Sequence, residues 1–291
     1  MKNASDYSKI IAGTMTWGKW GKKLSTNEMV LLMKHCMDLG ITTFDHADIY
    51  GDYTTEADFG AAFQKSAIKR EKVQFISKCG IQFKVASREN TVKHYDYNSR
   101  YIIWSVEQSL QKLRTEYLDL LLLHRPSPLM DPHEINEAIL KLKQEGKIRQ
   151  FGVSNFTPSQ IKLLETTVKV EGNQVECSLT NNEVMDNGIL DDCVINGRMA
   201  MAWSPLGTYF RKSSDQTKRI QRILNQLVPK YGATADQLLL AWVLRHPAKI
   251  FPVVGTVTPE RIALAKAALE IHMELEDWFL LLEASIGNEV A

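Results

Sequence analysis

What the chain lacks narrows its class before any motif is read. The longest unbroken apolar run, Leu238 to Leu244, falls far short of the roughly 18 residues a membrane span needs, so no bilayer-crossing helix is expected. Cysteine is scarce. Cys36, Cys79, Cys177 and Cys193 show neither CxxC spacing nor the density of a disulfide framework, which points to reduced thiols in a cytoplasmic protein. Behind the charged start Met1-Lys2-Asn3-Ala4-Ser5-Asp6 there is no apolar stretch, so export is not expected. An excess of one charge sign is missing too: 35 Lys and Arg against 34 Asp and Glu leave +1, and the broad electrostatic reason to bind nucleic acid or anionic lipid is absent. The expected partner is a small molecule, handled by a monomer.

What is present is ordinary globular material, 44% apolar and 24% charged, enough for a large core. Length alone, 291 residues against about 150 per domain, suggests two domains, but a single α/β barrel routinely approaches this size. No Pro/Gly/Ser-rich linker or composition break divides the chain, which is therefore read as a single domain over residues 1–291. Eight short apolar or β-branched runs recur: Ile10 to Thr14, Thr43 to Ala47, Val73 to Lys78, Leu118 to His124, Phe151 to Asn155, Gln174 to Ser178, Met199 to Pro205 and Ile250 to Thr256. Helical punctuation lies between them. Ser25 with Glu28 reads as a capping box, and Met29, Leu32, Met33 and Cys36 then mark one face that stops at Gly40. Asp131-Pro132 opens a helix whose apolar face is Ile135, Ala138, Ile139 and Leu142; Thr157-Pro158, Thr258-Pro259 and the Thr234/Gln237 box open others.

Strand then helix, repeated, allows a closed parallel barrel or an open doubly wound sheet. The open sheet usually carries G-x-G-x-x-G after its first strand, and Gly13-Thr14-Met15-Thr16-Trp17-Gly18 lacks the middle glycine. That favours the (β/α)8 barrel, with long polar connections at residues 80–98 and 206–217 as candidate functional loops.

Barrel chemistry sits where each strand ends, so the residues at which apolar runs turn polar are the informative ones. These are Asp45, Tyr50, Lys78 and His124. Each also has a plainer reading: Asp45 as a helix cap, Tyr50 as loop packing, His124 as a hydrogen-bonded core histidine. Lys78 is the telling member, because a lysine at the end of Val73-Gln74-Phe75-Ile76-Ser77 is costly to bury unpaired and Asp45 on the neighbouring strand is its natural counter-ion.

The run Phe44-Asp45-His46-Ala47-Asp48-Ile49-Tyr50-Gly51 resembles the aldo-keto reductases, as do Ser77-Lys78, Leu123-His124-Arg125, Gly152-Val153-Ser154-Asn155-Phe156, Asn173-Gln174-Val175-Glu176 and Trp203-Ser204-Pro205-Leu206-Gly207 in that order. The resemblance implies reduction of aldehydes or ketones with NADPH, with no metal, and Tyr50 as proton donor to the carbonyl oxygen. A free tyrosine titrates near pH 10, and bringing it to neutrality takes roughly 4 kcal/mol. A cation about 4 Å away in a partly screened site supplies on the order of 4 kcal/mol, so Lys78 alone is expected to lower the phenol, with Asp45 keeping the lysine charged. His124 is expected to stay neutral and orient the substrate oxygen.

By the same resemblance Gly13, Thr14, Met15 and Asp45 border the cofactor, Ser154, Asn155 and Gln174 hold its carboxamide, and Trp203 stacks on the nicotinamide. Ser204, Leu206 and Gly207 embrace the pyrophosphate, and Gly255, Thr256 and Arg261 face the adenosine end. NADPH is preferred to NADH through Arg261, although Gly255-Thr256 stands where many relatives have Lys-Ser. Trp17 and Trp20, with His94, Tyr95 and Tyr97 behind them, are candidates to wall the substrate pocket. Two rivals stay in view. A metal-dependent hydrolase would use Asp45, His46, Asp48 and His124, but Asp45 and His46 are neighbours on one strand and point opposite ways. A regulatory subunit would bind NADPH on the same barrel with little turnover.

Overall fold

The computed structural model describes residues 7–291, so the start Met1 to Asp6 lies outside the described residues. The eight apolar runs form eight parallel strands: β1 (Ile11–Gly13), β2 (Thr43–Asp45), β3 (Gln74–Cys79), β4 (Leu118–Leu123), β5 (Ile148–Ser154), β6 (Gly172–Glu176), β7 (Met199–Trp203) and β8 (Phe251–Val254). Each pairs with its neighbour in sequence, and β8 closes back on β1 through Ile11 opposite Val253. This is the (β/α)8 barrel. Two strands begin earlier than their apolar runs, β5 at Ile148 opposite Leu118 and β6 at Gly172 opposite Met199, because backbone pairing continues through residues with no apolar signature.

Side-chain alternation divides the core. Ile11, Ile76, Leu120, Leu122, Met199, Met201, Phe251 and Val253 pack with Tyr7 inside the barrel. Ala12, Phe44, Phe75, Leu121, Leu123, Phe151 and Val153 pack with residues of the surrounding helices. Stepping two residues on from an interior position therefore keeps a side chain inside. Ile76 leads to Lys78, Leu122 to His124 and Thr43 to Asp45, so the polar residues at the strand ends share the barrel's inner face.

The helices are α1 (Thr26–Asp38), α2 (Thr55–Ser66), α3 (Ser99–Leu113), α4 (Pro132–Gln144), α5 (Pro158–Leu164), α6 (Ile189–Ile195), α7 (Asp215–Tyr231), α8 (Ala235–Leu244), α9 (Pro259–Ala267) and α10 (Leu275–Ile286). The capping boxes at Ser25, Thr157 and Thr234 are formed, and the expected apolar faces of α1 and α4 are buried. Two helices stand between β7 and β8. The C-terminal α10 is fastened by Trp278, stacked on Trp242 of α8 at 4.8 Å with each indole N–H donating to the other's backbone carbonyl. The connection at 80–98 contains a two-stranded antiparallel ribbon, Ile81–Gln82 with His94–Tyr95. No helix among the described residues is long and apolar enough to cross a membrane.

Helices α2 and α3 meet at Gly60, where a Cβ would collide with the Lys112 carbonyl oxygen and lie 2.8 Å from the Leu113 carbonyl carbon. The backbone there has no flexible end to move aside. Gly60→Ala is expected to destabilise the protein by about 1–3 kcal/mol in urea denaturation followed by circular dichroism, the usual range for overpacking; an unchanged midpoint would mean the two helices separate freely.

Candidate active site

The mouth is assembled by continuing the barrel's backbone pairing beyond the end of β2. The Thr14 N–H donates to the Asp45 carbonyl, His46 N–H to Ile76 and Asp48 N–H to Lys78, at 2.8–3.0 Å. The chain then turns through Gly51, Asp52 and Tyr53, all with left-handed φ of 56–71°. Two of these residues are not glycine, so the turn carries strain that its surroundings must hold in place. Its product is the placement of the Tyr50 phenol over the barrel.

Lys78, 1% exposed, is the hub. Its ammonium donates to both Asp45 carboxylate oxygens at 2.7 Å, to the His46 carbonyl at 2.7 Å and to the Tyr50 oxygen at 3.2 Å. Asp45 also accepts from Gln174 Nε2 at 2.9 Å. An ammonium has no acceptor, so the phenol oxygen receives this bond and keeps its own proton for another partner. Burial pushes Lys78 down, but Asp45 and Tyr50 together pull harder, and the amine stays charged above its ordinary range.

The Tyr50 phenol departs from expectation. Burial raises it, Lys78 pulls it back, Asp45 adds to the rise, and the net position is above the ordinary tyrosine value. The cation is already matched by a carboxylate at 2.7 Å, so a phenolate would be a second buried anion on one ammonium. Lys78 therefore limits the phenol's rise and does not by itself lower it. His124 lies edge-on to Tyr50, ring centroids 6.1 Å apart. Burial, then Lys78, Arg125 and Lys93, hold it well below the usual histidine value and thus neutral. Its Nδ1 is buried with no partner among the described residues. Behind the site Asp48, bonded by Ser105 Oγ at 3.0 Å, is pushed up to about 7 by burial and by Glu56.

The side expected to face a cofactor is also pre-arranged. Ser154 Oγ donates to the Gln174 carbonyl, Asn155 Nδ2 to Ser154 Oγ at 2.8 Å, and Trp203 Nε1 to Asn155 Oδ1 at 3.0 Å. Ser204 at φ 49° opens a turn closed by Gly207 N–H at 2.7 Å, and a Cβ on Gly207 would strike Thr180 and Ser178. Thr16 Oγ1 donates to the Gly255 carbonyl at 2.6 Å, tying the first loop to the last.

The sequence matches the aldo/keto reductase family over residues 9–284. The chain belongs to that family. It is 41% identical over 290 residues to the uncharacterized oxidoreductase YcsN of Bacillus subtilis (strain 168), covering 98% of this chain and 96% of the relative. It is 40% identical over 292 residues to the 6-dehydroglucose reductase of Agrobacterium fabrum, covering 97% of each. Among solved structures, an aldo/keto reductase from Klebsiella pneumoniae, in complex with NADP and acetate, superposes with a TM-score of 0.77 at 28% identity over 94% of this chain and 90% of that one.

Within this aldo/keto reductase some expected site residues lie elsewhere. Trp17 is a core residue, 1% exposed and packed on Phe44 and Phe59, so it does not wall a pocket. Tyr97 is buried too, its hydroxyl engaged with the Arg125 backbone. Thr14 is buried, with its hydroxyl bonded to the Asp45 carbonyl and to His46, its N–H to the Asp45 carbonyl and its own carbonyl accepting from Trp17, which leaves little of it to meet a ligand. Trp20 does reach the rim, 6.2 Å from Tyr50 and 5.8 Å from Phe83 between ring centroids. Met15, Gly255 and Arg261 are exposed; Leu206 is half-buried against the core. Sequence reasoning passed over Phe83 and used Arg125 only within a motif, although that arginine lies 5.3 Å above the Trp203 ring; its place directly after His124 was the available signal.

Asp45→Asn removes the charge that matches Lys78 and is expected to cost about 3–5 kcal/mol near pH 7, measured by urea denaturation. In the wild type the raised Lys78 stabilises the fold below the unfolded lysine value near pH 10, and that contribution fades as pH rises through the folded value. The variant should reverse the sign and recover stability as pH rises towards 10. A wild-type pH profile in the variant would show that Asp45 is not the counter-ion that matters.

Proposed function

We propose that this protein reduces the carbonyl of aldehydes or ketones to alcohols, using NADPH. The observation that carries the reading is the Lys78 ammonium bonded at once to Asp45 and to the Tyr50 oxygen, with neutral His124 beside the phenol.

The residues present fit a nicotinamide dinucleotide. Trp203 is a half-buried flat ring at a strand end, Asn155 and Ser154 stand beside it with Gln174, and the turn from Ser204 through Leu206 to Gly207 follows directly. Ser154, Asn155 and Gln174 would hold the carboxamide, Trp203 the ring face, Ser204 to Gly207 the pyrophosphate, and Gly255, Thr256 and Arg261 the adenosine end. Gly13, Thr14, Met15 and Asp45 would line the inner edge. When bound, this group supplies the hydride to the carbonyl carbon.

Tyr50 supplies the proton. A phenol held above its ordinary value stays protonated at any working pH, as a general acid must. The proton leaves as the carbonyl oxygen gains negative charge, and the emerging phenolate accepts a hydrogen bond from Lys78, a stabilisation on the order of 4 kcal/mol at that range. Asp45 keeps the ammonium charged throughout. His124, neutral, donates one hydrogen bond to the same carbonyl oxygen and fixes its direction. The name carried by the Agrobacterium relative makes a sugar-derived aldehyde a natural first compound to assay.

Tyr50→Phe should keep NADPH affinity near wild type, by tryptophan fluorescence, and cut turnover of a carbonyl panel by about two decades or more. Full activity in that variant would remove Tyr50 from the reaction. Arg261→Ala should raise the KM for NADPH about tenfold while barely moving that for NADH, the loss expected of one charge-assisted phosphate contact. Equal effects on both cofactors would mean that Arg261 does not touch the 2′-phosphate.

A further inference from the structure

Arg125 is a half-buried cation at this mouth that no carboxylate among the described residues matches and that the proposed reaction does not use. It follows His124 directly and is half-buried. Its guanidinium stands 5.3 Å over the Trp203 ring and is close enough to act on both Tyr50 and His124. Among the described residues it has no ion-pair partner and its guanidinium donates no hydrogen bond, whereas Arg70 and Arg198 are each paired with buried or half-buried carboxylates.

Its mounting is rigid. The Arg125 carbonyl accepts from Tyr97 Oη at 2.5 Å, and its N–H donates to the same oxygen at 3.2 Å. Tyr97 is buried and fills the space beside Gly80, where any Cβ would overlap its ring. Pro126 and Pro128 follow, limiting the backbone further. A second cation, Lys93, stands just before the ribbon strand His94–Tyr95 and over the Phe83 ring, near enough to act on His124, but it is exposed and solvated.

A planar, always-charged fork held over an aromatic ring, short of water and without an internal acceptor, is built for an anionic oxygen group. We propose that Arg125 makes this enzyme selective for carbonyl compounds that also carry a carboxylate, which it grips while the carbonyl oxygen lies between Tyr50 and His124. One half-buried guanidinium balances one carboxylate, and the solvated Lys93 adds attraction at the entrance. The alternative, that stacking on Trp203 is Arg125's whole role, predicts no such selectivity. This inference rests on the carbonyl-reducing reading for its substrate arm but not for its binding arm.

The substrate arm compares 3- and 4-carboxybenzaldehyde with the corresponding formylbenzamides, nearly the same in shape but uncharged, with NADPH as reductant. The wild type is expected to prefer an acid over its amide by about tenfold or more in kcat/KM, less so as salt is raised. Arg125→Met should erase that preference, falling at least tenfold more on the acid than on the amide, and Arg125→Lys should restore part of it. The binding arm titrates 3- and 4-(hydroxymethyl)benzoate, and their amides, into the protein with NADP+, followed by tryptophan fluorescence. Tighter binding of an acid, lost in Arg125→Met, is expected. If no aldehyde is reduced but this binding pattern holds, the reductase reading fails and the carboxylate site stands. If aldehydes are reduced with no preference for the acids, or Arg125→Met affects acid and amide equally, the proposal is overturned and the reductase reading is untouched.

Discussion

The buried ammonium of Lys78 is the constraint on which the mouth of this barrel depends. All three of its donors are engaged, by the Asp45 carboxylate, the His46 carbonyl and the Tyr50 oxygen. Those partners come from β2 and from the segment that continues it, so β2 and β3 must hold one register for the set to exist. Replacing a buried ion pair with apolar residues is often neutral or stabilising. Its presence here, inside a barrel packed mainly with aliphatic and aromatic side chains, is therefore better understood through the chemistry proposed for it than through stability.

Around that hub lies a second layer of buried polar groups. Asp48 accepts from Ser105 and Glu56 accepts from Ser77 and Ser109, joining the segment after β2 to β3 and α3. Burial raises both carboxyl groups, and the neighbouring Glu56 adds to the cost of ionising Asp48. These contacts anchor the chain on both sides of the left-handed turn at Gly51 to Tyr53, and Tyr50 lies between them, bonded to Lys78. Fixing the phenol in this way is what turns four side chains from different parts of the chain into one site.

Much of this was legible because barrel strands follow simple alternation. Lys78 and His124 continue the inner faces begun by Ile76 and Leu122, and an apolar run ending in a charge marks the mouth directly. The misreadings have a common origin. Trp17 and Tyr97 lie close in sequence to mouth residues, but loop direction, which no periodicity encodes, turns both into the core. The acidity of Tyr50 is not legible from the Lys78 pairing alone, because burial and the Asp45 charge act on the phenol together with that ammonium. Arg125 was overlooked because its lack of an internal partner is visible only once every neighbour is placed.

The amino-acid order by itself determined the eight strand-helix repeats and the capping of the helices, and it pointed to Asp45, Tyr50, Lys78 and His124 as the candidate site, since each depends on local spacing or on a polar residue breaking an apolar pattern. Tertiary structure alone decided which aromatic rings reach the rim, where the Tyr50 proton is held and which cation is left unmatched. These are sums over neighbours distant in sequence, and electrostatics and burial in a closed barrel are set by that surrounding, not by any residue's place in the chain.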